Sequence, residues 1–125
     1  MTLLLDAGAL LALERGDLQA TIRLKRERSH GSPPPTHGGI VGQVWRSGTR
    51  RPRLAMWLQA TVVAHLDEEL GRRSGALLAR TGGSDVLDAA LVLLACDGDT
   101  SLISDADDLA LVAAAAGRQI DIIPV

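Results

Sequence analysis

Hydrophobic residues fall into two kinds of stretch along this chain. Four short apolar runs, each bounded by polar or turn-forming residues, lie at residues 3–5, 61–64, 101–103 and 120–123. Runs of this length are too short for helices and are typical of β-strands, and the run at residues 3–5 predicts a buried strand. The longer stretches between them repeat hydrophobic side chains at helical spacing, as a helix with one buried face does. Strands that alternate with helices predict an α/β fold with a parallel sheet and right-handed crossovers.

Helices are predicted from the same periodicity together with start and stop signals, at residues 7–14, 18–28, 40–45, 54–59, 67–80, 86–96 and 107–116. The helix at 86–96 is apolar almost throughout, so we expect it to be buried. Residues 29–39 are mostly turn formers and include three prolines, which cannot donate a backbone hydrogen bond. This segment predicts a loop or an edge strand, and therefore an incomplete sheet edge.

Composition limits the class of protein. The chain has 125 residues, 46% of them hydrophobic and 22% charged, as expected for a single soluble domain over residues 1–125. Its one cysteine, Cys96, lies in an apolar run, which favours a buried, unreactive thiol and a reducing compartment. No apolar run approaches the roughly 20 residues of a spanning helix, and the N-terminus lacks the basic start of a secretory signal. We therefore expect a cytoplasmic protein without membrane association.

The net charge of −2 conceals two oppositely charged regions. Residues 23–53 carry eight arginines and lysines against one glutamate, whereas residues 84–125 carry eight aspartates against one arginine. A basic region beside an acidic one is typical of a phosphate-binding surface next to a cation site. The charge counts alone favour the simpler interpretation of two ordinary solvated faces.

Individual aspartates give a more specific signal than the counts. Asp6 is the only charged residue among the first thirteen and directly follows a predicted strand, where ligands of open α/β sheets bind. Asp85 and Asp88 are three residues apart at the start of the apolar helix, so both project from one side near its positive end. The alternative is that Asp6 and Asp85 cap the helices that follow, with Asp88 as the acid of a capping pair.

Asp105 repeats the position of Asp6 behind another predicted strand. Three acids at strand and helix ends predict a cluster whose mutual repulsion a hard divalent cation, Mg²⁺ or Mn²⁺, would relieve. His30, His37 and His65 are scattered without the spacing of zinc ligands, so we interpret them as bystanders.

Four segments carry a resemblance to a known family, and they read LLLDAGAL from residue 3, IVGQVWR from residue 40, SDVLDAALVLLA from residue 84 and LISDADDL from residue 102. In order and spacing they resemble a PIN-domain ribonuclease of the VapC type, the toxin of a type II toxin–antitoxin pair. The resemblance covers essentially the whole chain. It implies a three-layer α/β/α fold around a small central parallel sheet.

The activity that the resemblance implies is Mg²⁺-dependent endoribonuclease cleavage, with Mn²⁺ as an alternative ion, leaving a 3′-hydroxyl and a 5′-phosphate. The positions that match the family's catalytic acids are Asp6, Asp85, Asp88 and Asp105. Asp6, Asp88 and Asp105 would hold the metal, and Asp88 or Asp105 would also accept a proton. The positions with a supporting role are Gln43, Ser104 and Asp108.

Partners also follow from the resemblance, which implies an RNA substrate, a cognate antitoxin and a homodimer. Arg46, Arg50 and Arg51 lie close to Gln43 in sequence and are candidates for binding RNA phosphates. The alternative for these arginines is an ordinary surface role or pairing with acids of a partner.

One departure from the family pattern is that Gln43 stands where the family has a second acid, a glutamate. Glutamine keeps an oxygen ligand and loses a charge, which weakens metal binding unless Asp85 substitutes for it. The competing hypothesis is therefore a catalytically weakened PIN-like module that binds RNA or antitoxin. A phosphoacceptor receiver domain is disfavoured because it needs a late lysine, and Lys25 is the only lysine.

Overall fold

The structure is a computed structural model that describes residues 3–29, 33–46, 51–83, 85–95, 100–103 and 106–124. Its strands are β1 (Leu3–Leu5), β2 (Pro35–His37), β3 (Val62–Ala64), β4 (Thr100–Ile103) and β5 (Asp121–Pro124). Its helices are α1 (Ala7–Glu14), α2 (Leu18–Ser29), α3 (Gly38–Val44), α4 (Pro52–Gln59), α5 (Glu68–Thr81), α6 (Val86–Leu94) and α7 (Ala106–Ala115). Each of the four predicted strand runs overlaps a strand, so the predicted α/β class is confirmed.

The strands form two parallel sheets that meet side by side. One has the order β1-β4-β5, with Leu5 opposite Leu102, and the other pairs β2 with β3. The buried hydroxyl of Thr36 in β2 donates to the carbonyl of Leu5 in β1 at 2.9 Å, which joins the two sheets. Strands β1 and β2 therefore end close together.

Strand β2 forms within the segment whose prolines predicted a loop or an edge strand. Pro35 is its first residue, and the carbonyl of Pro34 accepts from the amide of Val62 at 2.9 Å. Proline lacks a donor and keeps its carbonyl acceptor, so these residues can support a neighbouring strand from one side. The sheet edge is consequently present here, although β2 is only three residues long.

Helix α6 is buried on two sides, as its apolar sequence predicted. Leu91 packs with the leucines of β1 and with α1, whereas Ala89 and Val92 pack in a second cluster against α5 and α7. The helix thus belongs to both parts of the core. It ends at Leu94 rather than at residue 96, because Ala95 is already extended; Cys96 lies outside the described residues. No helix in the described part of the chain is long and apolar enough to cross a membrane.

Candidate acidic site

Asp6 links the end of β1 to the start of α1. Asp6 is 6% exposed, and its Oδ1 accepts from the amide of Ala9 at 2.8 Å, so it is the N-cap of α1. The capping interpretation from the sequence is therefore correct for this residue. Capping engages one carboxylate oxygen, and Asp6 also has a further polar or electrostatic interaction.

Asp85 and Asp88 lie together at the start of α6. Oδ1 of Asp85 accepts from the amides of Leu87 at 2.9 Å and Asp88 at 3.1 Å, which makes Asp85 the N-cap, as the sequence also predicted. Asp88 is half-buried in the first turn, and like Asp6 it has a further polar or electrostatic interaction. Both acids line a cleft of about 190 Å³ between α5, α6 and α7, whose other walls include Thr81 and Leu111.

The end of β2 contacts both acid-bearing elements through consecutive residues. Thr36 donates to the carbonyl of Leu5, and Nε2 of His37 bonds to the carbonyl of Leu87 at 2.8 Å. Leu5 directly precedes Asp6, and Leu87 directly precedes Asp88. The backbones that carry these two acids are therefore both anchored on adjacent positions of one short strand.

His37 is fully buried and uses both ring nitrogens. Nδ1 accepts from the amide of Gly39 at 3.1 Å, which caps α3, and this requires Nε2 to carry the proton donated to Leu87. Burial lowers the pKa of His37 from 6.5, against the opposing effects of its bond to Leu87 and the charge of Asp85. The imidazole is accordingly neutral at neutral pH.

The bystander interpretation of the histidines missed this structural role. His37 is followed by two glycines and then by the first hydrophobic residue of a helix, an arrangement that permits an N-cap but does not single one out. His65 is exposed, and His30 lies outside the described residues. Because both nitrogens of His37 are engaged within the fold, it is unsuited to ligating a metal.

The predicted supporting and basic residues that the structure describes include residues near the end of α3 and at the start of α4. Gln43 is exposed near the end of α3, and Arg46 is exposed just after it. Arg51 is the N-cap residue of α4, and its buried Nε has no hydrogen-bond partner among the described residues. The first turn of α4 rests on Glu14, whose Oε2 accepts from the amide of Leu54 at 2.6 Å.

Glu14 ends α1, the helix that Asp6 begins. An eight-residue helix is about 12 Å long, so the start of α4 lies at the opposite end of α1 from the acids. Arg51 is thus separated from Asp6 by the length of that helix. A phosphate-binding role for Arg46, Arg50 and Arg51 stays a prediction, and Arg50 lies outside the described residues.

The third predicted metal ligand also lies outside the description. Ser104 and Asp105 are not among the described residues, and Asp108 is described only by its place in α7. Strand β4, which precedes them, runs parallel to β1 in register, so both strands end at the same edge of the sheet. Within the described ranges, no group of three or more His, Cys, Asp or Glu side chains is arranged to hold a metal ion.

The donor set nevertheless suits a hard cation. Asp85 and Asp88 share one cleft, and Asp6 is held to the same strand as Asp88, so the chemistry available here is that of carboxylate oxygens. No protein-family model matches the chain, and no curated protein matches it significantly. The fold and site define a class only, an α/β protein in which Asp6 follows β1 and Asp85 and Asp88 begin α6.

Proposed function

We propose that the chain is a PIN-like, Mg²⁺-dependent endoribonuclease that acts as the toxin of a toxin–antitoxin pair. One observation carries the proposal: Asp6 and Asp88 both follow residues whose carbonyls are bound by Thr36 and His37. A metal-dependent nuclease requires acids from distant parts of the chain to meet at one site, and these two backbone anchors support such a meeting of Asp6 and Asp88. The three-layer α/β/α arrangement belongs to this proposal.

The roles of the residues follow from their chemistry. A bound Mg²⁺ would neutralise charge on the scissile phosphate and make a bound water more acidic. Asp6, Asp88 and Asp105 would supply anionic oxygens, and Asp85 would hold the first turn of α6 through the two amides it caps. As water attacks phosphorus, Asp88 or Asp105 would accept its proton. The P–O3′ bond breaks, and the departing 3′ oxygen gains a proton, which leaves a 3′-hydroxyl and a 5′-phosphate.

A groove between α2 and α4 supports an antitoxin partner. We call it the basic groove; its apolar lining includes Leu18, Met56 and Trp57 and its basic lining Lys25, Arg28 and Arg53. Leu18 is 71% exposed and Met56 54% exposed, while the guanidinium of Arg28 lies 5.9 Å from the ring centroid of Trp57. Exposed apolar side chains with a basic rim fit an acidic amphipathic helix of the antitoxin. A homodimer and a cytoplasmic location are further parts of the proposal.

The test is RNA cleavage by the purified chain with Mg²⁺ or Mn²⁺, comparing Asp6→Asn with the matched variant Asp67→Asn. Both residues are N-caps whose Oδ1 accepts an amide three residues on, and asparagine caps a helix as well as aspartate does. We expect Asp6→Asn to lower cleavage about 100-fold or more and Asp67→Asn to leave it unchanged. Equal cleavage by the wild type and Asp6→Asn would refute the nuclease proposal.

Because Gln43 replaces an acid of the family pattern, we also consider a second function, a PIN-like module that binds RNA or antitoxin without cutting. Asp88→Asn and Gln43→Glu separate the two. If the wild type and Asp88→Asn are equally inert and Gln43→Glu restores cleavage, the chain is the binding module. If Asp88→Asn abolishes an existing activity, the module is excluded.

A further inference from the structure

His37 occupies a position that helix capping alone does not explain. As the N-cap of α3 it needs only Nδ1, which accepts from Gly39. Its other nitrogen reaches across 50 residues of sequence to the carbonyl of Leu87. That carbonyl belongs to the first turn of α6, between Asp85 and Asp88. The imidazole therefore joins the start of α3 to the acidic turn of α6.

A steric contact at the same place shows how closely these elements approach. A Cβ on Gly39 would lie 2.5 Å from Cδ2 of Leu87 and 2.9 Å from Cδ2 of Leu66, closer than carbon atoms can approach without displacement. Both atoms are the ends of leucine side chains, so a methyl group on Gly39 would require these side chains to move. The hydrogen bond from His37 to Leu87 crosses the same close contact between α3 and α6.

We infer that His37 is a positioning residue, which holds the acidic first turn of α6 against β2 through the carbonyl of Leu87. This inference rests on the proposed function, because it assigns a purpose to the position of Asp88. Partners that orient metal ligands from behind typically change metal affinity 10- to 100-fold when they are removed. Thr36 does the equivalent for Asp6 through Leu5.

Two substitutions separate the capping role of His37 from its positioning role. In His37→Asn, the side-chain oxygen takes the place of Nδ1 and can still cap α3, but nothing reaches Leu87. In His37→Gln, the side-chain nitrogen takes the place of Nε2 and can still donate to Leu87, but the cap is lost.

Two measurements on the full chain report separately on the first turn of α6 and on the acids. Amide hydrogen exchange at Leu87, Asp88 and Ala89 reports on the first turn of α6, and exchange at Gly39 reports on the cap of α3. Mn²⁺ alone, followed by electron paramagnetic resonance, reports on the acids without requiring activity. We expect His37→Asn to raise exchange in α6 about tenfold and to weaken Mn²⁺ binding about tenfold. His37→Gln should leave both within about threefold of the wild type and raise exchange only at Gly39.

A third variant tests the same contact in case His37→Asn and His37→Gln do not fold. Gly39→Ala keeps His37 and presses a methyl group against Leu87, so it should also weaken Mn²⁺ binding. Equal effects of His37→Asn and His37→Gln, or unchanged Mn²⁺ binding in both His37→Asn and Gly39→Ala, would overturn the inference. If the wild type binds no Mn²⁺, the proposed function fails, while the exchange pattern still decides whether His37 positions α6.

Discussion

The acids at the ends of β1 and α6 and the basic groove between α2 and α4 are organised in opposite ways. Around the acids, buried side chains make hydrogen bonds that span 31 and 50 residues of sequence. In the groove, Leu18 and Met56 are mostly exposed. The first arrangement fixes polar groups in advance, as catalysis requires, and the second leaves apolar area uncovered, as binding requires. Under the proposed function, the comparison assigns chemistry to the acidic region and partner binding to the basic groove.

A core substitution and a groove substitution give the largest predicted contrast. Leu91 is fully buried where α6 meets β1, so we expect Leu91→Ala to lower the free energy of unfolding by about 2–5 kcal/mol. Leu18→Ala should change it by no more than about 0.5 kcal/mol and should weaken binding of an acidic partner helix. Urea denaturation of both variants is the measurement. Similar losses of stability would mean that the groove is part of the core.

Removing the hydrogen bond between the two sheets should give the next largest loss of stability. Thr36→Val preserves the shape of the side chain and leaves the carbonyl of Leu5 without this donor, so we expect a loss of about 1–3 kcal/mol in unfolding free energy. Thr21→Val is the matched control, because Thr21 donates to Asp17 within its own part of the chain and is half-buried. If the two variants lost the same stability in urea denaturation, the sheets would not depend on Thr36.

The sequence predicted local features of the acidic region well. The run at residues 3–5 is β1, and the alternatives that Asp6 and Asp85 cap helices are both confirmed. These features could be predicted because each depends on residues within a few positions of one another. Helix α3 begins at Gly38, two residues before its predicted start, because His37 provides the cap.

The connections between distant segments could not be predicted in the same way. The bond from His37 to Leu87 depends on how β2 packs against α6, and no local pattern around either residue indicates it. The proline segment left a loop and an edge strand open, and the structure shows the edge strand, because the carbonyl of Pro34 can accept from Val62 although proline nitrogens cannot donate. The roles of Ser104 and Asp105 stay predictions, because both residues lie outside the described parts of the chain.

A smaller effect is expected where α4 meets α1, at the rim of the basic groove. Arg51 provides no side-chain cap for α4, and Glu14 supplies an acceptor for the amide of Leu54 instead. Glu14→Ala should therefore cost about 1 kcal/mol of unfolding free energy, as the loss of a cap does. Glu14→Gln keeps an acceptor oxygen and should cost less than half as much. Equal losses would mean that the bond to Leu54 contributes nothing.

The smallest predicted effect is a change in stability with pH that arises from one proton on His37. We expect it near the acids and not in the basic groove. Because burial lowers the pKa of His37 from 6.5, the folded state binds this proton less tightly than the unfolded chain does. The resulting stability is fully present above pH 6.5 and is lost as the pH falls through the lower pKa of the folded state. Protonation would also remove the acceptor that caps α3.

We expect the difference in unfolding free energy between the wild type and His37→Gln to shrink as the pH falls from about 8 to about 5. Groups that do not interact with His37 are common to both proteins, so their effects cancel in that difference. A difference that stays constant over this range would show that His37 is not a neutral buried group, and that its bond to Leu87 forms equally well when the ring is charged.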